Sequence, residues 1–525
     1  MGRKMRHFYD VLVVGTGIAG LSAAIMLKEH GLNTVAITKE DAANKTATYY
    51  AQGGIIAWEE ADTPELLESD ILRAGCGYNN LEAVKLLANK GPELVFDFLI
   101  NKIGIEFTRT LAGELDYTEE AAHSRRRILH YSDHTGDTIQ KALIDYANKI
   151  NLPILSGFTT IDLITNNHQS RDTQELYKPC EVMGLYALNN EEKRVETFFA
   201  NRVILATGGL GELYQHTTNP ASATGDGMSM AYRAGADIIN AQFVQFHPTS
   251  LYHRDIKRFL ISESLRGEGA RLMNHKGEYF MESYSELGDL APRDVVARGI
   301  YEEMGKTGTE FMKLNLASHY KGESPIPVRF SKVYSTCLKG GIDITKEPIP
   351  VVPAAHYFCG GIKVDLFGKS TLPNLYAIGE SSCTGLHGAN RLASTSLLEG
   401  LMWAKQAADH INSNFSEISK KRFDNIPDWE SPNYSEEFDP LLFHQDWKLI
   451  KLTMWNYAGI VRNLKGLERA NADLNYHAHR IFQFYRTAKL NRQIIELRNG
   501  VVNASIIVNA AMRHKRSIGC HYVTS

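Results

Sequence analysis

Asp10-Val11-Leu12-Val13-Val14-Gly15-Thr16-Gly17-Ile18-Ala19-Gly20 decides the fold of this chain. After Asp10 the run is apolar without alternation, as in a parallel strand buried on both faces. It feeds G-x-G-x-x-G, and the apolar residues beyond predict a helix from Gly17 to His30, with Gly31 as its C′ glycine. Val35 to Thr38 then reads as a second strand, completing a βαβ unit. In that setting Gly15 permits a tight turn, and Gly17 lets the backbone approach a pyrophosphate. Gly20 lets helix and strand pack closely, and Thr16, Ile18 and Ala19 belong to the helix start that faces the anion. The motif therefore predicts a bound dinucleotide.

Working outward, the acidic residue that usually binds a ribose after strand two is missing. Thr38-Lys39 stands there and Glu40 comes late, which argues against simple NAD recognition and leaves Lys39 or a backbone group for the ribose. Two distant segments repeat the strand-to-glycine ending: Arg202 to Ala206 before Thr207-Gly208-Gly209, and Asn374 to Ile378 before Gly379-Glu380. These predict one nucleotide-binding sheet assembled from discontinuous pieces, with a long helix from about Ser394. Residues 245–350 lack the βαβ rhythm and read as an inserted domain. Asn166 to Lys178 reads as a surface loop and Asn412 to Glu437 as a linker region. Beyond it, Ile450, Met454, Tyr457 and Val461 recur at helical spacing, which predicts a structural helical bundle.

A chain of 525 residues is long enough for about three to four domains. Its net charge of −3 provides no global basic field for nucleic acid or an anionic membrane, although Arg125-Arg126-Arg127 and Arg513 to Arg516 are local basic patches. Six scattered cysteines without a C-x-x-C pair argue against a zinc ribbon, an iron–sulfur cluster or a disulfide scaffold, so no metal is expected. They fit a reducing compartment, and a cytoplasmic location is expected. Basic residues before His7 and an apolar stretch from Val11 to Leu27 imitate a secretory signal, but Gly15, Gly17 and Gly20 have no use there and are needed in the turn. No apolar run is long enough to span a bilayer.

From Tyr50-Ala51-Gln52-Gly53-Gly54-Ile55 onward the chain resembles the flavoprotein family of succinate dehydrogenase, fumarate reductase and L-aspartate oxidase. The resemblance continues through Thr224-Gly225-Asp226-Gly227, Gln245-Phe246-His247-Pro248-Thr249 and Glu263-Ser264-Leu265-Arg266-Gly267. It extends over Pro292-Arg293-Asp294, His356-Tyr357 and Gly388-Ala389-Asn390-Arg391-Leu392-Ala393-Ser394. It implies an α/β fold: a discontinuous Rossmann-like FAD-binding domain (1–240 and 353–425), an inserted α+β capping domain (241–352) and a C-terminal helical bundle (426–525).

Two positions bear on the branch. Family dehydrogenases attach FAD through a histidine five residues before the Gln of Gln-Gly-Gly; here that position is Ala47, which implies noncovalent FAD. Glu119-Glu120-Ala121-Ala122-His123-Ser124 resembles the segment in which the aspartate-oxidising members carry a Glu facing the substrate amine. The match falls on Glu120, with Ala121-Ala122 replacing the usual Gly-Gly.

By the same resemblance His247, Ser262, His356 and Arg391 bind a dicarboxylate, and Arg293 transfers a proton with Glu263 and Arg266 as relay partners, or only clamps the substrate. The FAD cradle comprises the glycine motif, Lys39, Ala47, Thr48, Tyr49, Tyr50, Ala51, Gln52, Gly53, Gly54, Asp226, Glu380, Ser396 and Leu397. Thr395 stands where the family usually has Asn, at the expected cost of one hydrogen bond. The implied activity is oxidation of L-aspartate to iminoaspartate with dioxygen, giving hydrogen peroxide, or fumarate as acceptor. This begins the aspartate route to quinolinate and NAD, with quinolinate synthase downstream. The rival reading is a soluble fumarate reductase or succinate dehydrogenase flavoprotein, and both Ala47 and Glu120 count against it.

Overall fold

The structure, a computed structural model, describes residues 5–110, 112–120, 122–132, 134–430 and 439–524. The strand Arg6–Val14 lies at its centre, flanked in parallel by Thr34–Ile37 and by Arg194–Leu205. Leu375–Ala377 pairs in parallel with the end of Arg194–Leu205, so the three glycine-terminated strands stop side by side at one sheet edge. A single sheet from discontinuous pieces is thus what the chain builds. Arg194–Leu205 is longer than its apolar core indicated, because its first half also pairs antiparallel with Val182–Asn189, which continues to Phe158–Thr165.

The helix Ile18–Glu29 is buried along almost its whole first three turns, beneath a second long helix, Thr395–Ser413. The two run together because small residues meet: a Cβ added at Gly400 would lie 3.3 Å from Cβ of Ala19. Close packing also fixes the glycine motif. A Cβ at Gly20 would sit 2.0 Å from the Gly15 carbonyl oxygen, so only glycine lets this helix approach its strand.

A separate four-stranded antiparallel sheet holds Val244–Leu251, Ile349–Phe358, Met312–Asn315 and Arg271–Met273 in that order. Register breaks on either side of Phe246-His247 re-aim the strand where His247 precedes Pro248. Helices Pro440–Tyr457, Leu464–Thr487 and Arg492–Arg513 form the C-terminal bundle. Ile450 and Met454 are in its core, but the first helix ends at Tyr457 ahead of Gly459, so Val461 lies past it.

Two expectations need correction. Asn166 to Lys178 is not simply a surface loop: it holds a short helix, Asn166–Gln169, and a tight turn, Thr173–Tyr177. Asn166 and Glu175 are buried and hydrogen-bonded to each other, while Leu176 and Tyr177 are exposed. The stretch Asn412 to Glu437, expected as a linker region, is packed over part of its described length, since Phe423 and Ile426 lie against Phe158–Thr165 and Val182–Asn189; residues 431–437 of it lie outside the described residues. Among the described residues no helix is long and apolar enough to cross a membrane.

Candidate active site

One cleft, open to solvent at its mouth, runs from the strand ends to the antiparallel sheet. At one end stands the N-terminus of helix Ile18–Glu29, whose cap residue Gly17 has no side chain to satisfy the first N–H groups. The Ile18 N–H is taken by Thr48 Oγ1 at 3.0 Å and the Leu21 N–H by the Gly17 carbonyl at 2.9 Å, which leaves the N–H groups of Gly17 and Ala19, both lining the cleft, without an intrahelical acceptor. Gly15 takes φ +116°, where a Cβ would also lie 2.0 Å from the Ala206 oxygen. The turn therefore presents bare backbone to the cleft.

Most of the residues expected around a dinucleotide line this space, from Gly15 to Ala19 and on to Ser396 and Leu397. Two do not. Gly20 faces the strand, and Tyr49 stacks edge-on against Tyr50 at 5.2 Å, outside the lining. Lys39 borders the cleft, but Nζ spends its three donors on Asp226 (2.6 Å), Thr224 (2.7 Å) and Glu496 (2.8 Å). Burial opposes its charge, yet Asp226 and Glu496 raise its proton affinity overall, so it stays an ammonium. A ribose contact from Lys39 would have to displace one of these partners. Glu380 accepts the Phe358 N–H at 2.9 Å, and burial pushes its carboxyl up to about 7. Thr395 turns its hydroxyl to the Leu392 carbonyl at 2.6 Å rather than into the cleft.

The far end is cationic. Arg391 is buried; Nη1 donates to Ser396 at 3.2 Å, Nε has no partner, and no carboxylate pairs with it among the described residues. Its guanidinium lies over the Tyr357 ring at 4.4 Å. Burial, and after it the Arg293 charge, lower its hold on the proton. A buried guanidinium left this way is a seat for a carboxylate from outside the protein.

His247 and His356 stand beside it with ring centroids 5.2 Å apart. Nδ1 of His356 meets Thr218 Oγ1 at 2.7 Å and Nδ1 of His247 meets the Thr249 backbone, leaving both Nε2 atoms for a ligand. Burial holds both rings neutral, well below the ordinary imidazole range, and the arginines deepen the effect. Ser262 also lines the cleft.

Arg293 opens the helix Arg293–Thr307, where the helix dipole disfavours a cation. Its Nε donates to Glu263 at 2.6 Å, and Nη1 is buried without a partner. Burial opposes its charge too, but Glu263 and Glu120 outweigh it and raise its proton affinity. Glu263 is held down at about 2, since Arg293 and Arg266 overcome its burial. Arg266 does not line the cleft; it sits behind Glu263 at 3.2 Å and donates to the Asp289 carbonyl at 2.6 Å.

Glu120 faces these cations too, and among the described residues it is ion-paired with none of them. Ser394 Oγ donates to its Oε2 at 2.8 Å, while Glu119 is exposed and does not line the cleft. Burial raises the Glu120 carboxyl, Arg293 pulls it back, and Glu263 raises it again; the net shift is upward.

A family model described as an FAD binding domain matches residues 10–397. The L-aspartate oxidase of Yersinia pestis is 42% identical over 99% of this chain and 97% of its own, and that of Acinetobacter baylyi is 41% identical over 98% and 93%. The chain belongs to this family of FAD-binding flavoproteins. Among solved structures, E. coli quinol fumarate reductase FrdA superposes with a TM-score of 0.86 at 25% identity, over 99% of this chain and 92% of that one.

FAD fits the family site on this chain's own geometry: open N–H groups at a glycine-capped helix, and a cleft long enough to continue to the histidines and Arg391. The family's cofactor end also has parts that sequence reasoning missed. Asn499 donates to Asp226 at 2.9 Å, and Asn503 to the carbonyls of Thr224 and Gly225, so the last helix is more than scaffold. Arg492, Glu496, Asn499 and Asn503 form a polar stripe at helical spacing in an apolar helix, and that stripe was a readable signal. Behind Arg391, the Tyr357 hydroxyl donates to Glu399 at 2.9 Å, and Glu399 also accepts from Thr384 at 2.6 Å and meets His387 at 2.9 Å. That buried acid has no sequence motif of its own.

Proposed function

We propose that this chain oxidises L-aspartate to iminoaspartate with noncovalently bound FAD, as the first step of an aspartate route to quinolinate and NAD. Ala47 offers no side chain for a covalent link to a flavin, which supports the noncovalent reading. The observation that carries the substrate assignment is Glu120: a half-buried carboxylate that accepts from Ser394 and is ion-paired with no cation among the described residues, whereas Glu263 in the same cleft is taken up by Arg293. A dicarboxylate alone has no use for it. A dicarboxylate carrying an ammonium does.

When bound, FAD accepts the hydride lost from the amine-bearing carbon. The side chains do the rest. Arg391, His356 and His247 bind the carboxylates, with Ser262 adding a hydroxyl, and this alignment would set which carbon is presented to FAD when it is bound. Glu120 pairs with the ammonium and, with its proton affinity raised by burial, accepts the proton that nitrogen loses as the imine forms. Arg293 is held protonated by Glu263 and Glu120, so it is loaded to give a proton when the site reduces fumarate. During aspartate oxidation it clamps the substrate. Dioxygen, giving peroxide, or fumarate takes the electrons in turnover, and quinolinate synthase consumes the product.

Glu120→Gln keeps the shape and removes the charge. It is expected to lower kcat/KM for L-aspartate about a hundredfold, in line with losing one partner of a buried charge pair, while fumarate reduction changes far less. In the unsubstituted protein Glu120 must be ionised to hold the ammonium. The aspartate rate therefore falls as pH drops through its raised pKa, and fumarate reduction lacks this limb. Steady-state kinetics of both reactions across pH tests this. Normal aspartate kinetics in Glu120→Gln would sink the assignment.

A further inference from the structure

Ala122 has φ +68°, a backbone conformation that costs a residue with a Cβ and that glycine adopts freely. It lies two residues after Glu120, whose carbonyl accepts the His123 N–H at 3.2 Å to close the turn. This is one of the positions where the family usually has glycine, so something else must hold the turn in this chain.

The helix Pro64–Ala74 supplies it. Arg73 Nη2 donates to the Ala122 carbonyl at 2.9 Å and, with the same nitrogen, to Asp70 Oδ1 at 2.6 Å. Asp70 Oδ2 accepts the N–H and hydroxyl of Ser124, each at 2.8 Å, and Nη1 of the fully buried Arg127 at 2.8 Å. Arg127 in turn pairs with Asp62 at 2.7 Å. Two acids and two arginines thus form a charge-neutral clasp on the outer side of the loop. On its inner side, His123 Nε2 meets the Ala393 carbonyl at 3.1 Å, and the neighbouring Ser394, itself at φ +55°, donates to Glu120. The loop is fixed front and back, with Glu120 between.

We propose that Arg73 and Asp70 are positioning residues that hold the strained Ala122 turn and so keep Glu120 where an ammonium is read, making them determinants of amine specificity. This rests on the assignment of Glu120 to the substrate amine. Neither residue lines the cleft, so neither touches substrate. The Arg73 side chain is 60% exposed, and removing it does not open the core.

The test uses FAD-loaded protein and the ratio of kcat/KM for L-aspartate, with dioxygen as acceptor, to kcat/KM for fumarate, a substrate of the same length without an amine, reduced by a chemical electron donor in the absence of aspartate. A variant that merely loosens the fold lowers both and leaves the ratio. Arg73→Met is expected to lower the ratio about tenfold through misplacement of Glu120. Adding Ala122→Gly to Arg73→Met is expected to restore most of the ratio, because glycine takes the turn without a clasp. Glu120→Gln is measured in parallel. If it collapses the ratio but Arg73→Met does not, the positioning role fails and the Glu120 assignment survives. If Glu120→Gln leaves the ratio unchanged, the assignment fails and takes the positioning role with it. Loss in Arg73→Met without recovery in the double variant overturns the strained-turn account.

Discussion

Arg391→Met is expected to lower kcat/KM for L-aspartate by a factor of roughly thirty to several thousand, the equivalent of about 2–5 kcal/mol for removing one partner of a buried charge pair. The same substitution is expected to leave the thermal midpoint of the substrate-free protein no lower than before. The reason lies in what surrounds the guanidinium. It is buried, stacked on Tyr357 and hydrogen-bonded to Ser396, but among the described residues no carboxylate pairs with it and its Nε has no partner. An arginine kept for stability would be paired, and its loss would unfold the protein as it reduced activity. One kept for a ligand is a liability until that ligand arrives. Kinetics and a melting curve on the same preparation separate the two cases, and a large fall in both would contradict the assignment.

Arg293→Gln is the second large effect. Proton transfer by a positioned group contributes about 10²- to 10⁴-fold, and fumarate reduction, for which we propose Arg293 as the loaded donor, is expected to fall by a factor within that range. The pH dependence of stability carries further information. Glu263 is held at about 2 because Arg293 and Arg266 overcome its burial. With Arg293 gone, Arg266 alone remains, and the Glu263 carboxyl rises toward or above the ordinary carboxylate range of about 4. The stability that the depressed Glu263 gives the unsubstituted protein above the ordinary carboxylate range is then lost from the variant, which melting curves across pH read directly. An unchanged pH dependence of stability would mean that Glu263 does not depend on Arg293 as its geometry implies.

The parts legible in the sequence were those in which local rules and a ligand's needs coincide. Three apolar strands ending in glycine foretold one sheet edge, because strand endings and phosphate sites both leave short-range marks. The pocket residues were legible only through resemblance: nothing in the local chemistry of His247, His356 or Arg391 says that a bulged strand, its antiparallel partner and a helix-leading loop bring them together. Glu119 and Glu120 are alike in sequence, and only the fold separates an exposed acid from one held by Ser394. Least legible were contacts across long separations. Asp70 and Ser124, 54 positions apart, meet because a helix and a loop pack, and Lys39 finds Glu496 across nearly the whole chain. Ala122 shows the opposite case. The sequence marks it as a departure from glycine, yet the outcome depends on Arg73, which no motif contains.

The central claim is that this site takes hydride from a dicarboxylate because it carries an amine. The visible spectrum of the FAD-loaded protein, mixed without oxygen first with L-aspartate and separately with succinate, tests it most directly. Bleaching of the flavin band by L-aspartate and not by succinate is the predicted result. Bleaching by succinate alone would contradict the account and move the chain to the dehydrogenase branch of its family.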